Sequence, residues 1–149
     1  MSSTVIVTWV EGVKTYLETQ FTDADIRIGE PDETETQNQR EKDLILIWLG
    51  DWNELAADIA LAAPNIQIRW LPSRSRKQPR RENPNDPTVL YQAMEDLMVA
   101  LKAKRKFGDL APRVACHVSS GRVVTQPKGN WYTQAVLQGN SAHLAVDAA

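Results

Sequence analysis

Few stretches of the sequence bring chemically active side chains close together. Cys116 stands next to His117, and this pair of residue types performs thiol catalysis in some enzymes. Neighbouring residues of a strand point to opposite faces, so these two side chains cannot readily pair, and a buried structural cysteine is the better interpretation. Ser119-Ser120-Gly121 is typical of a hairpin turn, and it lacks the glycine two residues before the serine that a nucleophile elbow requires.

The carboxylates and glycines give no better support for catalysis. Asp23 and Asp25 lie at a loop edge, while Glu95 and Asp96 fall on the polar side of a helical stripe, where solvation explains them. The seven glycines are scattered singly, which argues against a dinucleotide or phosphate-binding loop. One cysteine and two histidines give little basis for a metal site. We therefore predict no catalytic residue, no metal site and no cofactor, and we do not expect an enzyme.

The composition is that of a folded protein. The chain has 149 residues, of which 42% are hydrophobic, and this predicts one domain spanning residues 1–149. No apolar run approaches the ~20 residues needed to span a bilayer, and the N-terminus lacks the pattern of a signal peptide. We expect a soluble, intracellular protein with no membrane contact.

Two segments of opposite charge interrupt a chain whose formal net charge is −2. The first is acidic and contains Glu30, Asp32, Glu33, Glu35 and Glu41 against Arg40 alone. The second contains five cations and no acid, namely Arg74, Arg76, Lys77, Arg80 and Arg81. Opposite patches on a small surface favour directional self-association or a charged partner, although two solvated loops explain them equally well.

The clearest local patterns flank the basic segment. Residues 66–71 alternate between large apolar and polar side chains, which predicts a half-buried strand that Pro72 ends. An amphipathic helix is predicted next, with Asp86 as its N-cap, Pro87 in its first position and Gly108 beyond its basic C-terminus. Its apolar stripe consists of Leu90, Met94, Leu97, Met98 and Leu101.

The first half of the chain predicts three further elements and one loop. Residues 4–19 keep helical spacing of their apolar positions, and residues 25–29 are typical of a short strand. Residues 30–42 contain no aromatic or aliphatic side chain and predict a solvated loop or flexible hairpin arm. Residues 44–49 are apolar at every position, which predicts a strand covered on both faces. Residues 53–63 have helical spacing and predict a short helix.

The C-terminal part is dominated by strand patterns. Residues 113–118 and 122–126 predict two strands joined by the turn at 119–121, and residues 131–137 predict another. Residues 143–146 suit a last edge strand. Runs of strands between isolated helices predict the α+β class, with a mixed, mainly antiparallel sheet and two main helices packed on one face.

Five tryptophans are many for this length: Trp9, Trp48, Trp52, Trp70 and Trp131. Large aromatic residues at strand ends usually belong to the core, but they also anchor protein interfaces. The five residues are therefore candidates for both roles.

Taken in order, these features resemble the tail terminator family of long-tailed phages, also described as tail completion or minor tail protein U-like proteins. The resemblance covers most of the chain, but none of its features is a strict motif. The predicted helix at 53–63 and the length of the loop at 73–85 depart from the family pattern. The features are the N-terminal helix, Leu44–Gly50, the Leu71-Pro72 exit, the helix led by Asp86-Pro87 with Leu90, Met94 and Leu97, Val118–Gly121, and Gly129–Trp131 before the last long strand.

The resemblance implies a structural virion protein. It would form a homo-hexameric ring that caps the tail tube, stops tail elongation and provides the head-joining surface. The implied partners are the tail tube protein and the head–tail connector protein, at the head-proximal end of a tail assembled in the host cytoplasm. We expect ring contacts near Trp48 and Trp70, with Glu33 and Glu35 contributing, and we expect the basic loop at 74–81 to dock a neighbour or to contact channel DNA non-specifically.

Two other functions are compatible with the sequence. One is another neck protein, such as a head-completion or connector subunit. The other is a small nucleic-acid-binding module that uses the cations at 74–81 on phosphates. The acidic chain and the absence of aromatic residues among those cations argue against the second alternative.

Overall fold

A computed structural model describes residues 5–31, 42–56, 61–72, 87–102, 116–125, 131–139 and 142–143. Within these ranges the chain forms two helices and one mixed sheet, so the predicted α+β class is confirmed. The helices are α1 (Val5–Gln20) and α2 (Thr88–Lys102). The strands are β1 (Asp25–Ile28), β2 (Leu44–Ala56), β3 (Leu61–Leu71), β4 (Cys116–Val124), β5 (Tyr132–Gly139) and β6 (Ala142–His143).

Five of these strands lie in the order β1-β2-β3-β5-β4, and β6 pairs with β3 beside them. Only the contact of β1 with β2 is parallel, and the other pairings are antiparallel. In this order β1 and β4 are the outer strands. The predicted mixed, mainly antiparallel sheet is therefore confirmed.

The helix face of the sheet is the one on which α1 and α2 pack. It contains alternate residues of the strands, among them Ile45, Ile47, Ile66, Ile68 and Trp70, all of them buried. From α1 the core takes Trp9, Val10, Val13 and Leu17, and from α2 it takes Leu90, Ala93, Leu97 and Leu101. One apolar layer between the sheet and the helices thus contains most of the buried side chains.

Few polar bonds cross this apolar layer. Thr133 is fully buried, and its hydroxyl donates to the Leu90 carbonyl at 2.8 Å, which joins β5 to α2. Tyr16 Oη donates to the Ala100 carbonyl at 2.6 Å and joins the two helices. The buried indole Nε1 of Trp9 has no hydrogen-bond partner among the described residues, an arrangement that costs about 1–3 kcal/mol.

The second face is the opposite side of the sheet. Leu44, Leu46 and Leu71 form a separate buried cluster there, and Trp48 and Tyr132 pack against it. Residues 44–47 are consequently buried on both faces of β2, as the unbroken apolar run predicts. Further along the strand, Trp48 is half-buried and Leu49 is 39% exposed.

The predicted helix at 53–63 is wrong. β2 continues to Ala56 and β3 begins at Leu61, with Asn53 opposite Ala63 and Glu54 opposite Ala62. Pairing with the neighbouring strand overrides the helical propensity of the alanines. Pro64 lies within β3 opposite Trp52 of β2, between the residues paired with β6 and those paired with β5.

The predicted turn at 119–121 is also wrong. β4 runs without interruption from Cys116 to Val124, and a register shift between Val118 and Ser120 accommodates Ser119. The Ser119 hydroxyl donates to the Val136 carbonyl at 3.4 Å. Gly121 faces α2, where a Cβ would approach Met94 Sδ within 2.7 Å. Ser119 thus lies at a bulge within β4, and Gly121 allows a close contact with α2, so the three residues do not form a hairpin turn.

The helices predicted at 4–19 and after Pro87, and the strands predicted at 25–29, 44–49, 66–71 and 131–137, are confirmed within small shifts of boundary. Residues 113–115 and 144–146 of the other predicted strands lie outside the described residues. α2 begins at Thr88, because Pro87 contributes the carbonyl that accepts the first helical bond, from the Tyr91 amide at 3.1 Å. Ala93 and Ala100 share the buried side of α2, while Met94 and Met98 are half-buried. The predicted cap at Asp86 and the stop at Gly108 lie outside the described residues.

Candidate functional site

The second face contains a half-buried arginine with unusual surroundings. Arg69 Nε donates to Gln134 Oε1 at 2.8 Å across the β3–β5 pairing. Gln134 Nε2 donates in turn to Gln67 Oε1 at 2.7 Å, and Gln67 Nε2 donates to Asn65 Oδ1 at 3.2 Å. This continuous chain of bonds fixes the orientation of each amide and holds the guanidinium plane.

Two aromatic rings flank the same guanidinium. The Arg69 Cζ lies 3.8 Å from the centre of the Tyr132 ring and 5.4 Å from the centre of the Trp48 ring. Each contact is within the distance at which a cation is attracted to a ring face. Planar stacking of this kind suits arginine better than lysine, because the guanidinium is flat and weakly hydrated.

The electrostatics of Arg69 are unfavourable within the subunit. Burial lowers the pKa of its guanidinium from the ordinary value, Tyr132 acts in the opposite direction, and Arg122 lowers this pKa further. Arginine nevertheless remains protonated at neutral pH. The site therefore maintains a partly desolvated positive charge beside a second cation.

Arg122 lies in the same row of the sheet as Arg69. Arg69 is directly opposite Gln134, and Gln134 is directly opposite Arg122, so the three residues cross β3, β5 and β4 on one face. Since neighbouring strands lie about 4.8 Å apart, the two arginines are separated by roughly 10 Å of sheet. Arg122 is exposed. None of these three strands contains an aspartate or a glutamate.

Gly50 supports the amide chain from the neighbouring strand. A Cβ on Gly50 would overlap Asn65 Oδ1 and would lie 2.9 Å from Gln67 Nε2. Because Gly50 has no side chain, the side chains of Asn65 and Gln67 can occupy this space.

The two tryptophans predicted at a subunit interface lie on opposite faces. Trp48 is half-buried on the second face, next to Arg69 and the leucine cluster. Trp70 is 3% exposed on the helix face, among core residues of both helices. The burial of Trp70 is therefore nearly complete within a single chain, whereas Trp48 retains exposed surface. Their part in a ring contact stays a prediction.

The remaining predicted site residues lie outside the described part of the chain. These are Glu33 and Glu35 of the acidic segment and Arg74, Arg76, Lys77, Arg80 and Arg81 of the basic loop. The mobile loop predicted over residues 30–42 also falls mostly outside it.

Other polar groups form small local arrangements. A pocket of about 50 Å³ lies between the end of α1, the start of β2 and α2, with Asp43, Gln92 and Asp96 among its lining residues. That volume accommodates only a few water molecules. Within the described ranges, no group of three or more histidine, cysteine or acidic side chains is placed to hold a metal ion. No helix in those ranges is long and apolar enough to cross a membrane.

Sequence reasoning did not find the Arg69 site. Arg69 occupies a polar position of an alternating strand, where an exposed cation is the ordinary expectation. The signal lay in three strands, far apart in sequence, that contain arginine and glutamine but no acid. Only the register of β3, β5 and β4 places Arg69 and Arg122 in one row.

Comparison of the sequence with models of known protein families gives no match, and comparison with curated proteins also gives none.

Proposed function

We propose that this protein is a phage tail terminator. Six copies would form a ring on the head-proximal end of the tail tube, where the ring stops elongation and provides the surface that the head connector meets. The resemblance of the sequence to the tail terminator family is the source of this proposal. The role is structural, and it requires no catalytic residue, metal or cofactor.

The observation that supports the proposal most directly is the order of the elements. The N-terminal helix, the strand that begins at Leu44, the strand that leaves the sheet at Leu71-Pro72 and the helix after Pro87 are all present, in the order in which the resemblance arranges them. All four belong to one sheet and its helix layer. A structural role is also compatible with the second face, where the side-chain amides of Asn65, Gln67 and Gln134 bond to one another.

A ring needs two different surfaces on each subunit, because contacts that close by rotation join unlike patches. The sheet ends in two unlike edges: β1 has four residues and a parallel neighbour, whereas β4 has nine residues and an antiparallel neighbour. Outer strands present unpaired backbone groups that a second chain can meet. These edges, together with the half-exposed Trp48, are the contact surfaces that we propose.

The basic loop at 74–81 has a separate role in this proposal. We infer that its five cations dock on the acidic segment around Glu33 and Glu35 of a neighbouring subunit, or contact DNA in the channel non-specifically. Exposed cations contribute on the order of 0–1 kcal/mol each to stability, so selection for folding alone gives little reason for five of them.

The decisive experiment measures assembly. The purified protein is analysed by light scattering and negative-stain electron microscopy, alone and with tail tubes assembled from the tube protein. We expect a ring six times the mass of the 16.7 kDa chain, formed alone or on tube ends, and tubes of limited length. A protein that stays monomeric and leaves tube growth unchanged would contradict the proposal. Rings that bind only the head connector would indicate another neck protein.

A fivefold serine variant of Arg74, Arg76, Lys77, Arg80 and Arg81 tests the loop separately. We expect a nearly unchanged melting temperature, because the replaced charges are not part of the apolar core. We expect ring formation or joining of tails to heads to fall. Normal assembly and joining by this variant would show that the loop has no functional role.

A further inference from the structure

Arg69 presents more hydrogen-bond donors than the subunit uses. Its guanidinium has five N–H groups, and among the described residues only Nε has an acceptor, the Gln134 oxygen at 2.8 Å. The Nη atoms are not among the buried atoms that lack a partner, so they are accessible to solvent. The amide chain and the two rings therefore hold a guanidinium whose Nη donors have no acceptor among the described residues.

The subunit does not neutralise this charge. Within the described ranges Arg69 has no ion pair with a carboxylate, and the three strands of its row, β3, β5 and β4, contain no acidic residue. Partial burial without an opposite charge costs free energy, and the neighbouring Arg122 adds repulsion. An anion bound across the row would relieve both costs.

A contrast on the same face shows what a satisfied arginine looks like. Arg27 of β1 donates from Nη2 and Nε to Asp25 Oδ2, at 2.6 Å and 3.0 Å. That pair is mutually neutralised and more than two-fifths exposed at both side chains. Arg27 thus provides a cation of the same type on the same face, but its charge is already neutralised by Asp25.

We propose that Arg69 and Arg122 form a binding site for the phosphate backbone of a nucleic acid. Two arginines whose backbone positions lie roughly 10 Å apart suit an anion that repeats along a chain better than one isolated carboxylate. Gln67, Gln134 and Asn65 add amide groups beside the row, and the half-buried rings of Trp48 and Tyr132 offer surface to bases. Cations, amides and aromatic rings together are the combination found in sequence-tolerant binders of single strands.

The site is separate from the basic loop and does not rest on the proposed ring. It lies on strands β3, β5 and β4, whereas the loop residues follow β3 in sequence. The net charge of −2 describes the whole chain and not this surface. Nucleic-acid binding through Arg69 and Arg122 would hold for a monomer as well as for a ring subunit.

The test uses fluorescence anisotropy with labelled single-stranded and duplex DNA at salt concentrations between about 50 and 200 mM. Variants are made in the full chain and in the fivefold serine variant, so that binding by the loop does not mask the site. They are Arg69→Gln, Arg122→Gln, the double variant, and Arg27→Gln as the matched control. Melting temperatures are recorded for each, and Arg122→Gln alone is the test variant if Arg69→Gln unfolds.

We expect the double variant to weaken binding of single-stranded DNA and to lower the slope of log Kd against log salt by about 1.4, since each lost phosphate contact contributes about 0.7. Arg122→Gln alone should lower this slope by about half of that amount, and this residue is exposed, so its replacement leaves folding intact. Arg27→Gln should leave affinity and slope unchanged.

Two outcomes would overturn the proposal. One is equal loss of binding in Arg27→Gln and Arg122→Gln, which would mean that general charge and not the row binds the strand. The other is competition by polyglutamate at the same charge concentration as DNA, lost in the double variant, which would assign the row to an acidic protein partner. Assembly into rings is measured separately, so failure of this site and failure of the terminator proposal are distinguishable.

Discussion

The two faces of the sheet differ in burial and in chemistry. On the helix face, alternate strand residues such as Ile47, Ile68 and Leu137 meet the apolar sides of two helices and are fully buried. On the second face, the next residues along the same strands form an amide chain, a stacked guanidinium and a small leucine cluster. The strand period of two residues separates these sets completely.

The difference shows which part of the sequence stabilises the fold and which part is available for function. Apolar side chains in the core need only volume and hydrophobicity, so many combinations satisfy them. A half-buried arginine needs specific acceptors and rings, and its placement costs stability unless something binds it. The charge that lacks a bound anion therefore lies on the second face. The following variants test whether substitutions on the helix face lower stability and substitutions on the second face lower binding.

Trp70→Ala should show the largest effect on stability. Its ring is 3% exposed in the helix-face core, and removal of a buried tryptophan costs about 3–5 kcal/mol. Trp48→Ala should cost less than about 2 kcal/mol, because that ring is only half-buried and loses mainly its contacts with Arg69 and the leucine cluster. Urea unfolding of both variants as monomers measures the difference.

The same pair separates core from interface. If Trp48 contributes to a ring contact, Trp48→Ala should weaken assembly more than its small loss of monomer stability explains. A ring that forms normally with Trp48→Ala, or a smaller stability loss for Trp70→Ala than for Trp48→Ala, would contradict the assignment of the two faces.

Gly50→Ala should have an intermediate effect, centred on the second face. The added methyl would overlap Asn65 Oδ1 and approach Gln67 Nε2 within 2.9 Å, so the amide chain must shift. Overpacking of this kind costs about 1–3 kcal/mol. We also expect weaker binding of single-stranded DNA, because Gln67 no longer holds Gln134 against Arg69.

Gly121→Ala is the matched control on the helix face. Its methyl meets Met94 Sδ at 2.7 Å and Cε at 2.8 Å, which are the end of a flexible side chain that can swing aside. Both substitutions remove the same backbone freedom from the unfolded chain, so the comparison isolates the contacts. A larger stability loss for Gly121→Ala than for Gly50→Ala, with unchanged DNA binding in both, would refute this account of the amide chain.

Sequence patterns predicted most of the helix face because periodicity records burial directly. The spacing of Val10, Val13 and Leu17 and of Leu90, Leu97 and Leu101 predicts both helices, and the unbroken run at 44–49 predicts a doubly buried strand. Prediction failed at 53–63 and at 119–121. In both places, pairing with a distant strand outweighed the local preferences of alanine, serine and glycine.

The candidate site could not be predicted in the same way. Arg69 precedes Arg122 and Gln134 by more than 50 residues, and only the strand order β3-β5-β4 makes the three neighbours. Each residue alone has the ordinary pattern of a polar side chain on a half-buried strand. Tyr132 gives no signal either, because its contact with Arg69 depends on the same register.

The smallest effect concerns the polar bonds behind the helix face. Tyr16→Phe removes only the hydroxyl that donates to the Ala100 carbonyl at 2.6 Å between α1 and α2. A net contribution of about 0.5–1.5 kcal/mol is typical of one such bond, so the free energy of unfolding should fall by that amount.

Tyr91→Phe is the matched control, because Tyr91 is 55% exposed on α2 and its hydroxyl contributes little to packing. Urea unfolding of the two variants should therefore differ, while DNA binding stays at the wild-type value in both because neither residue lies on the second face. Equal stability of the two variants would show that packing alone joins the helices, and lower DNA affinity in Tyr16→Phe would show that the two faces are energetically coupled.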